Sequence, residues 1–304
     1  MIKTFYVKNE YVNSRLDRWF RRSVCEVPQS LIEKNIRKGN IKVNNKKEKS
    51  FYKLKIKDQI TIRNINFISN KHKLINKKYE PTKKDIKKTS SIFLENNENF
   101  VVINKPAGIA VQSGTKSKKN ILDILRDTNE FEGFFPYPVH RIDKETTGIL
   151  IVAKNRKYAQ LFTSLFRLRK IHKTYLGVIL GVFNENKATL KDELFYYEGE
   201  KETKTLAITH YKVLDSNNKY SLLKLNPETG RKHQLRKQLL IHGHPIFGDN
   251  KYRITKKYLN KKNELMLHAY KIKFSIAGIR YNYTAEPPLA FKKILKEKFL
   301  KIYQ

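Results

Sequence analysis

The 304 residues include 64 Lys and Arg against 28 Asp and Glu, a net charge of +36, and a single cysteine, Cys25. This length favours two domains with at least one large core, while one cysteine excludes an internal disulfide and the lack of any Cys-x-x-Cys pair argues against structural zinc. The opening MIKTFYVKNEYVNSRLDRW is no signal peptide and no run approaches 18 apolar residues, so the expectation is a soluble protein of the reducing cytoplasm with no membrane partner.

Residues 1–62 contain 16 basic and 6 acidic residues, a net of +10. Leu16, Trp19 and Phe20 follow the i, i+3, i+4 spacing of one buried helical stripe. Pro28 ends that helix or opens the next, in which Leu31, Ile32 and Ile36 repeat the pattern. Lys38-Gly39 then supplies a basic last turn and a stop. The alternation in IKVNN reads as a strand entering a turn at Asn44-Asn45. Arg15, Arg18, Arg22, Arg37 and Lys38 surround the apolar stripe and make a basic face.

Residues 63–91 are polar, lysine-rich and interrupted by Pro81, and read as a basic linker. From residue 92 to 304 the apolar texture returns. Strand-like runs fall at FVVINKPAG, GILIVA, TYLGVILG, TKTLAITHYKVL, YSLLKLN, LHAYKIKFSI and RYNYTAEPP. Helical stretches lie between them, at NRKYAQLFTSLFRLRK and GRKHQLRKQLLIHG. Hairpin neighbours mixed with helices predict an α+β fold with a mixed, largely antiparallel central sheet.

The charge predicts a polyanionic partner, because neutralising phosphates releases counterions, although a Lys-, Asn- and Ile-rich composition accounts for part of it. Within that background Asp143 stands out, directly behind His140 and Arg141 on a loop that enters the apolar run after Gly148. A surface salt bridge, a nucleic-acid contact and a carboxylate held for chemistry are the competing readings. Chemistry requires a partner that keeps the acid ionised, and Arg236, at the edge of the face made by Leu235 and Leu239, is the best candidate. Tyr175 lies on a strand, where its ring either joins the core or stacks on a base. His233, His242 and His244 lack a cysteine or carboxylate at ligand spacing, so no metal is expected.

Two resemblances give these residues a context. Ser14-Arg15-Leu16-Asp17, Ser30 to Lys38-Gly39 and Val43-Asn44 resemble the S4 RNA-binding module, which implies a small S4-like α/β domain over 1–62. FVVINKPAG, HRIDKETTGILIVAK, KTYLGVILG and TGRKHQLR resemble, in order, the motifs of the RluA-type pseudouridine synthases, which isomerise uridine within RNA. That resemblance implies a catalytic domain over 92–304 with a basic cleft and no cofactor. In it Asp143 is the catalytic aspartate, Tyr175 the stacking tyrosine and Arg236 the paired arginine. Arg141 replaces the flipped base, and His140, Lys105, Arg231 and His233 are further RNA contacts.

The two-domain arrangement is similar to the large-subunit enzymes of the RluC and RluD type, with AVQSG closer to the RluC group. It implies a monomer acting on 23S ribosomal RNA or a large-subunit precursor. An RluD-like specificity, a catalytically inactive RNA-binding assembly factor and a nucleoside hydrolase using Glu145 as a second acid are the alternatives.

Overall fold

The computed structural model describes residues 2–8, 11–25, 27–63, 79–113, 117, 119–198, 201–254 and 264–302. The chain divides into two compact units, Met1–Lys78 and Tyr79–Gln304. Among the described residues, no helix is long and apolar enough to cross a membrane.

In the first unit β1 (Ile2–Tyr6), α1 (Leu16–Ser23), α2 (Gln29–Lys38), β2 (Ile41–Val43) and β3 (Gln59–Arg63) form two helices over a three-stranded sheet ordered β1-β3-β2. Leu16, Trp19 and Phe20 are buried against Ile32, Ile36, Ile41, Leu54 and Ile60, each such side chain contributing about 1.5–3 kcal/mol. Leu31, expected in the same stripe, is 39% exposed, because it sits one residue round the helix from Ile32. Gly39 closes α2 in the left-handed region at φ 76°. Asn44 and Asn45, at φ 48° and 64°, make the expected turn, closed by paired hydrogen bonds between Val43 and Lys46 at 2.9 and 2.8 Å.

The second unit opens with a helix that the polar sequence concealed. Within the expected linker 63–91, residues 64–78 lie outside the described residues, but Lys83–Thr89 form α3. Its N-terminus is held by a reciprocal capping box between Thr82 and Asp85. There follow β4 (Phe93–Asn96), β5 (Phe100–Lys105), α4 (Ile121–Arg126), β6 (Tyr137–Pro138), β7 (Thr147–Ala153), α5 (Arg156–Arg167) and β8 (His172–Leu180). The chain continues through β9 (Lys187–Glu198), β10 (Lys201–Ser216), β11 (Tyr220–Pro227), α6 (Gln234–Ile241), β12 (Leu267–Ile276), β13 (Ile279–Thr284) and α7 (Leu289–Glu297).

The strands build one sheet in the order β4-β5-β7-β12-β8-β11-β10-β9, with β13 on β12 and β6 on β7. Only the β7–β12 pairing among these is parallel, so the α+β fold and the mixed, largely antiparallel sheet are as expected. All residues of β7 are buried, which explains why GILIVA is continuously apolar rather than alternating. Strand periodicity sends Phe100, Val102, Ile149 and Ile151 toward Phe162 of α5. The intervening Val101, Ile103, Leu150 and Val152 pack on Ile121 and Leu125 of α4.

Gly148 is required where β7 meets β12. It adopts φ +106°, and a Cβ there would stand 2.3 Å from the Ala269 carbonyl oxygen. A buried hydrogen bond from the Thr147 hydroxyl to His268 Nδ1, 2.8 Å, ties the same two strands. The loop that precedes β7 is therefore anchored at its exit.

Candidate active site

Asp143 lies on that loop, between β6 and β7. The Thr146 N–H donates to its carbonyl at 3.2 Å, and the Gly108 N–H donates to the next carbonyl, of Lys144, at 3.0 Å. Lys105 completes the fastening from within: its Nζ donates to the carbonyls of Pro106, Ile109 and Lys144 at 2.7, 3.0 and 3.1 Å. This lysine is fully buried. The expected RNA contact by Lys105 is thus corrected, since an ammonium enclosed by three carbonyls presents nothing to a phosphate. Burial lowers its pKa to about 7, against the opposing pull of Glu145 and Asp143.

His140 also turns inward. Its Nε2 accepts from the Ile151 N–H at 2.8 Å and its ring stacks on Phe166 at 4.6 Å. Burial, then the charge of Lys173, pushes its pKa down to about 3. The ring is therefore neutral; it holds the loop through Ile151 and also lines the cavity described below.

The second side of the site comes from the turn before α6. Gln234 Oε1 accepts from the Thr229 hydroxyl at 2.7 Å and the Arg231 N–H at 3.0 Å, while Gln234 Nε2 donates to the Ile208 carbonyl at 3.1 Å. These bonds set the start of the helix. Two residues on, Arg236 Nη1 donates to Asp143 Oδ2 at 3.1 Å. Its Nε and Nη2 grip Asp249 at 2.6 and 2.8 Å. The Asp249 side chain is 1% exposed, that of Arg236 8% and that of Asp143 22%. Against the cost of burial, the hydrogen bonds and charge of Asp249, then of Asp143, hold the guanidinium firmly charged.

Asp249 is a residue that sequence reasoning missed. Its signal was Gly248, at φ +78°, where a Cβ would lie 1.9 Å from the Glu264 carbonyl oxygen. The tight approach directs the next side chain into the interior. Tyr252 was missed as well. Its N–H donates to Asp249 Oδ1 at 2.9 Å, its ring lies under the Arg236 guanidinium at 5.0 Å, and its hydroxyl is 2.8 Å from His233 Nδ1. His233 Nε2 in turn stands 3.6 Å from Asp143 Oδ1.

Tyr175, on β8, sits in register with Leu225 of β11 and Ala269 of β12. Its hydroxyl has no hydrogen-bond partner among the described residues. Burial, then the negative charge of Asp143, raises the phenol well above its ordinary value. The ring faces a cavity of about 580 Å³ that Asp143, Arg236, His140, Arg141, Arg231 and His233 also line, a volume within the roughly 300–1,000 Å³ range of ligand sites. Val139, Ile142, Leu235 and Leu267 supply apolar walls, and Arg167, Arg169 and Lys173 stand along one side. None of those three cations has a carboxylate partner among the described residues. Arg141 is exposed at the mouth; Glu145 is exposed and outside the lining.

The remaining expected contacts lie in the first unit. Arg18, Arg37 and Lys38 are exposed. Arg15 is half-buried and paired with Asp17 through Nη2 at 2.6 Å and Nε at 3.1 Å. The side chain of Arg22 lies outside the described residues.

A cavity with an acid, Asp143, an arginine on that acid and a flat aromatic wall is equipped for nucleophilic chemistry on a planar ring. The family model described as RNA pseudouridylate synthase matches residues 99–240. Ribosomal large subunit pseudouridine synthase C of Rickettsia bellii is 34% identical over 299 residues, spanning 94% of this chain and 98% of that protein. The protein of the same name from Buchnera aphidicola subsp. Acyrthosiphon pisum is 30% identical over 286 residues, with 90% and 89% covered. Among solved structures, human RNA pseudouridylate synthase domain containing 4 superposes with a TM-score of 0.62 at 26% identity, over 72% of this chain and 97% of that one.

Proposed function

The chain belongs to the RNA pseudouridylate synthase family, and from that membership we propose that it isomerises uridine to pseudouridine in 23S ribosomal RNA of the large subunit, with Asp143 as nucleophile. The observation that carries the reading is the Asp143–Arg236 pair on the wall of a cavity sized for a nucleoside. The names of the relatives, synthase C of the large ribosomal subunit, support this substrate over that of the RluD type.

The reaction breaks N1–C1′, turns the uracil and forms C5–C1′; C5 gives up a proton and N1 gains one, so the formula is unchanged. Nothing is oxidised or hydrolysed, and no cofactor is needed. Asp143 attacks C1′ or C6 while Arg236 holds Oδ2 and leaves Oδ1 free. Extruding the base costs a few kcal/mol, which Arg141 offsets by filling the vacated stack. Tyr175 stacks on the uracil; a phenol raised by burial is a poor base at neutral pH, which supports stacking over proton removal. The walls of the cavity keep the detached uracil beside C1′.

A hydrolase would require a second carboxylate aimed at a water. Glu145 does not line the cavity, and Glu228 is already bonded to His210 at 2.6 Å. The enzyme acts in the cytoplasm, as a monomer, with the S4-like residues 1–62 binding RNA through Arg15, Arg18, Arg22, Arg37 and Lys38. Mapping pseudouridine in 23S ribosomal RNA from cells with and without the protein tests the assignment. Specific uridines should lose modification in its absence, and Asp143→Asn should fail to restore them while still binding the RNA. Restoration by that variant would overturn the role of Asp143.

A further inference from the structure

We propose that Tyr252 is a positioning residue for the isomerisation, its hydroxyl fixing the tautomer of His233 so that Nε2–H faces Oδ1 of Asp143. The inference rests on reading Asp143 as the nucleophile. Neither Tyr252 nor Asp249 lines the cavity, so both act from behind it.

His233 holds φ 54° at the entry to α6, a left-handed conformation that a histidine keeps only where its surroundings impose it. The imposed geometry puts Nδ1 2.8 Å from the Tyr252 hydroxyl and Nε2 3.6 Å from Asp143 Oδ1. An ionised carboxylate only accepts, whereas a hydroxyl both donates and accepts. In a neutral ring one tautomer therefore suits both neighbours, with Nε2–H toward Asp143 and Nδ1 accepting from the Tyr252 O–H. The other tautomer would aim a nitrogen lone pair at the carboxylate.

The ring's surroundings favour its neutral form. Burial lowers the His233 pKa, Asp143 opposes this, and Arg236, Lys251 and Lys232 lower it further. Tyr252 contributes no charge, and Asp249 stands on the far side of Arg236. Tyr252 is itself immobilised by its N–H on Asp249, its ring under Arg236 and its edge-to-face contact with His233 at 5.5 Å. Both oxygens of Asp143 thus trace back to Asp249: Oδ2 through Arg236, and Oδ1 through His233 and Tyr252. At 3.6 Å the Nε2–H···Oδ1 approach is longer than a hydrogen bond, which leaves Oδ1 aimed yet free to react.

Tyr252→Phe removes the hydroxyl and keeps the ring beneath Arg236. With an unmodified 23S transcript, kcat should fall by up to about tenfold, the loss of one neutral hydrogen bond, while KM for the RNA is unchanged. The tautomer of His233, read from its ring-nitrogen NMR shifts in the full-length protein, should move from Nε2–H toward a mixture, because the lost hydroxyl had been the donor to Nδ1. In a His233→Gln background, removing the hydroxyl should change nothing further. A His233 that keeps the same tautomer, an unchanged kcat, or additive losses in the double variant would each overturn the proposal. Wild-type protein that leaves uridine unchanged would instead defeat the functional reading on which it rests.

Discussion

Arg236 bridges two carboxylates unequally, gripping Asp249 with Nε and Nη2 and touching Asp143 with Nη1 alone. The two-point bond to a buried partner fixes the plane of the guanidinium. The single contact leaves Asp143 one free oxygen. Orientation is supplied by one acid and reactivity is left to the other.

Asp249→Asn should therefore harm both stability and turnover. It removes the buried, two-point counter-charge of the guanidinium, for a loss of about 3–5 kcal/mol, and frees the group that aims Asp143. Denaturant unfolding and single-turnover isomerisation measure the two effects. A variant as stable as wild type, or one with full turnover, would contradict the division of roles.

Lys105 links pH to folding. Its pKa is about 7 when folded against an ordinary 10.5, so between those values the unfolded chain binds more protons than the folded one. Its contribution to stability is accordingly complete above about pH 10.5 and is lost as pH falls toward 7. Wild type should gain on Lys105→Met by on the order of 1 kcal/mol per pH unit across that window. Paired urea titrations at pH 7.5 and pH 9.5 would reveal it; parallel stability curves would not fit a buried, depressed lysine.

Arg169 and Lys173 line the cavity without carboxylate partners among the described residues, and Lys173 is lowered by burial and by Arg169. A phosphate of the bound strand relieves both effects. Lys173→Met and Arg169→Ser should each flatten the dependence of log Kd on log salt by about one unit. Filter binding over a range of potassium chloride checks this, and an unaltered slope would place the phosphate elsewhere.

Removing residues 1–78 takes away the unit bearing exposed Arg18, Arg37 and Lys38. Affinity for ribosomal RNA and its salt dependence should drop together, while turnover of saturating RNA persists. An unchanged salt slope would remove RNA binding from that unit.

The trio proposed to react was legible because Asp143, Tyr175 and Arg236 each lie within a short motif, on elements whose apolar periodicity is plain. Asp249 and Tyr252 were not, since FGDNKY has no period and their roles depend on a fold-back at Gly248 that brings residues 13 and 16 positions beyond Arg236 into contact with it. Lys105 misled for a related reason: a basic residue beside a motif looks like an RNA contact, and whether carbonyls already occupy it is decided by long-range packing. α3 was passed over although Thr82 and Asp85 spell a capping box, because lysine-rich text around it resembles a linker.

β12 is nearly the last strand to be synthesised, yet it stands between β7, which follows Asp143, and β8, which bears Tyr175. Until it inserts, the halves of the reaction centre have no shared backbone to set their spacing. A nascent polypeptide leaving the ribosome is thereby silent until close to completion, and chains terminated before residue 267 should be inert on any uridine.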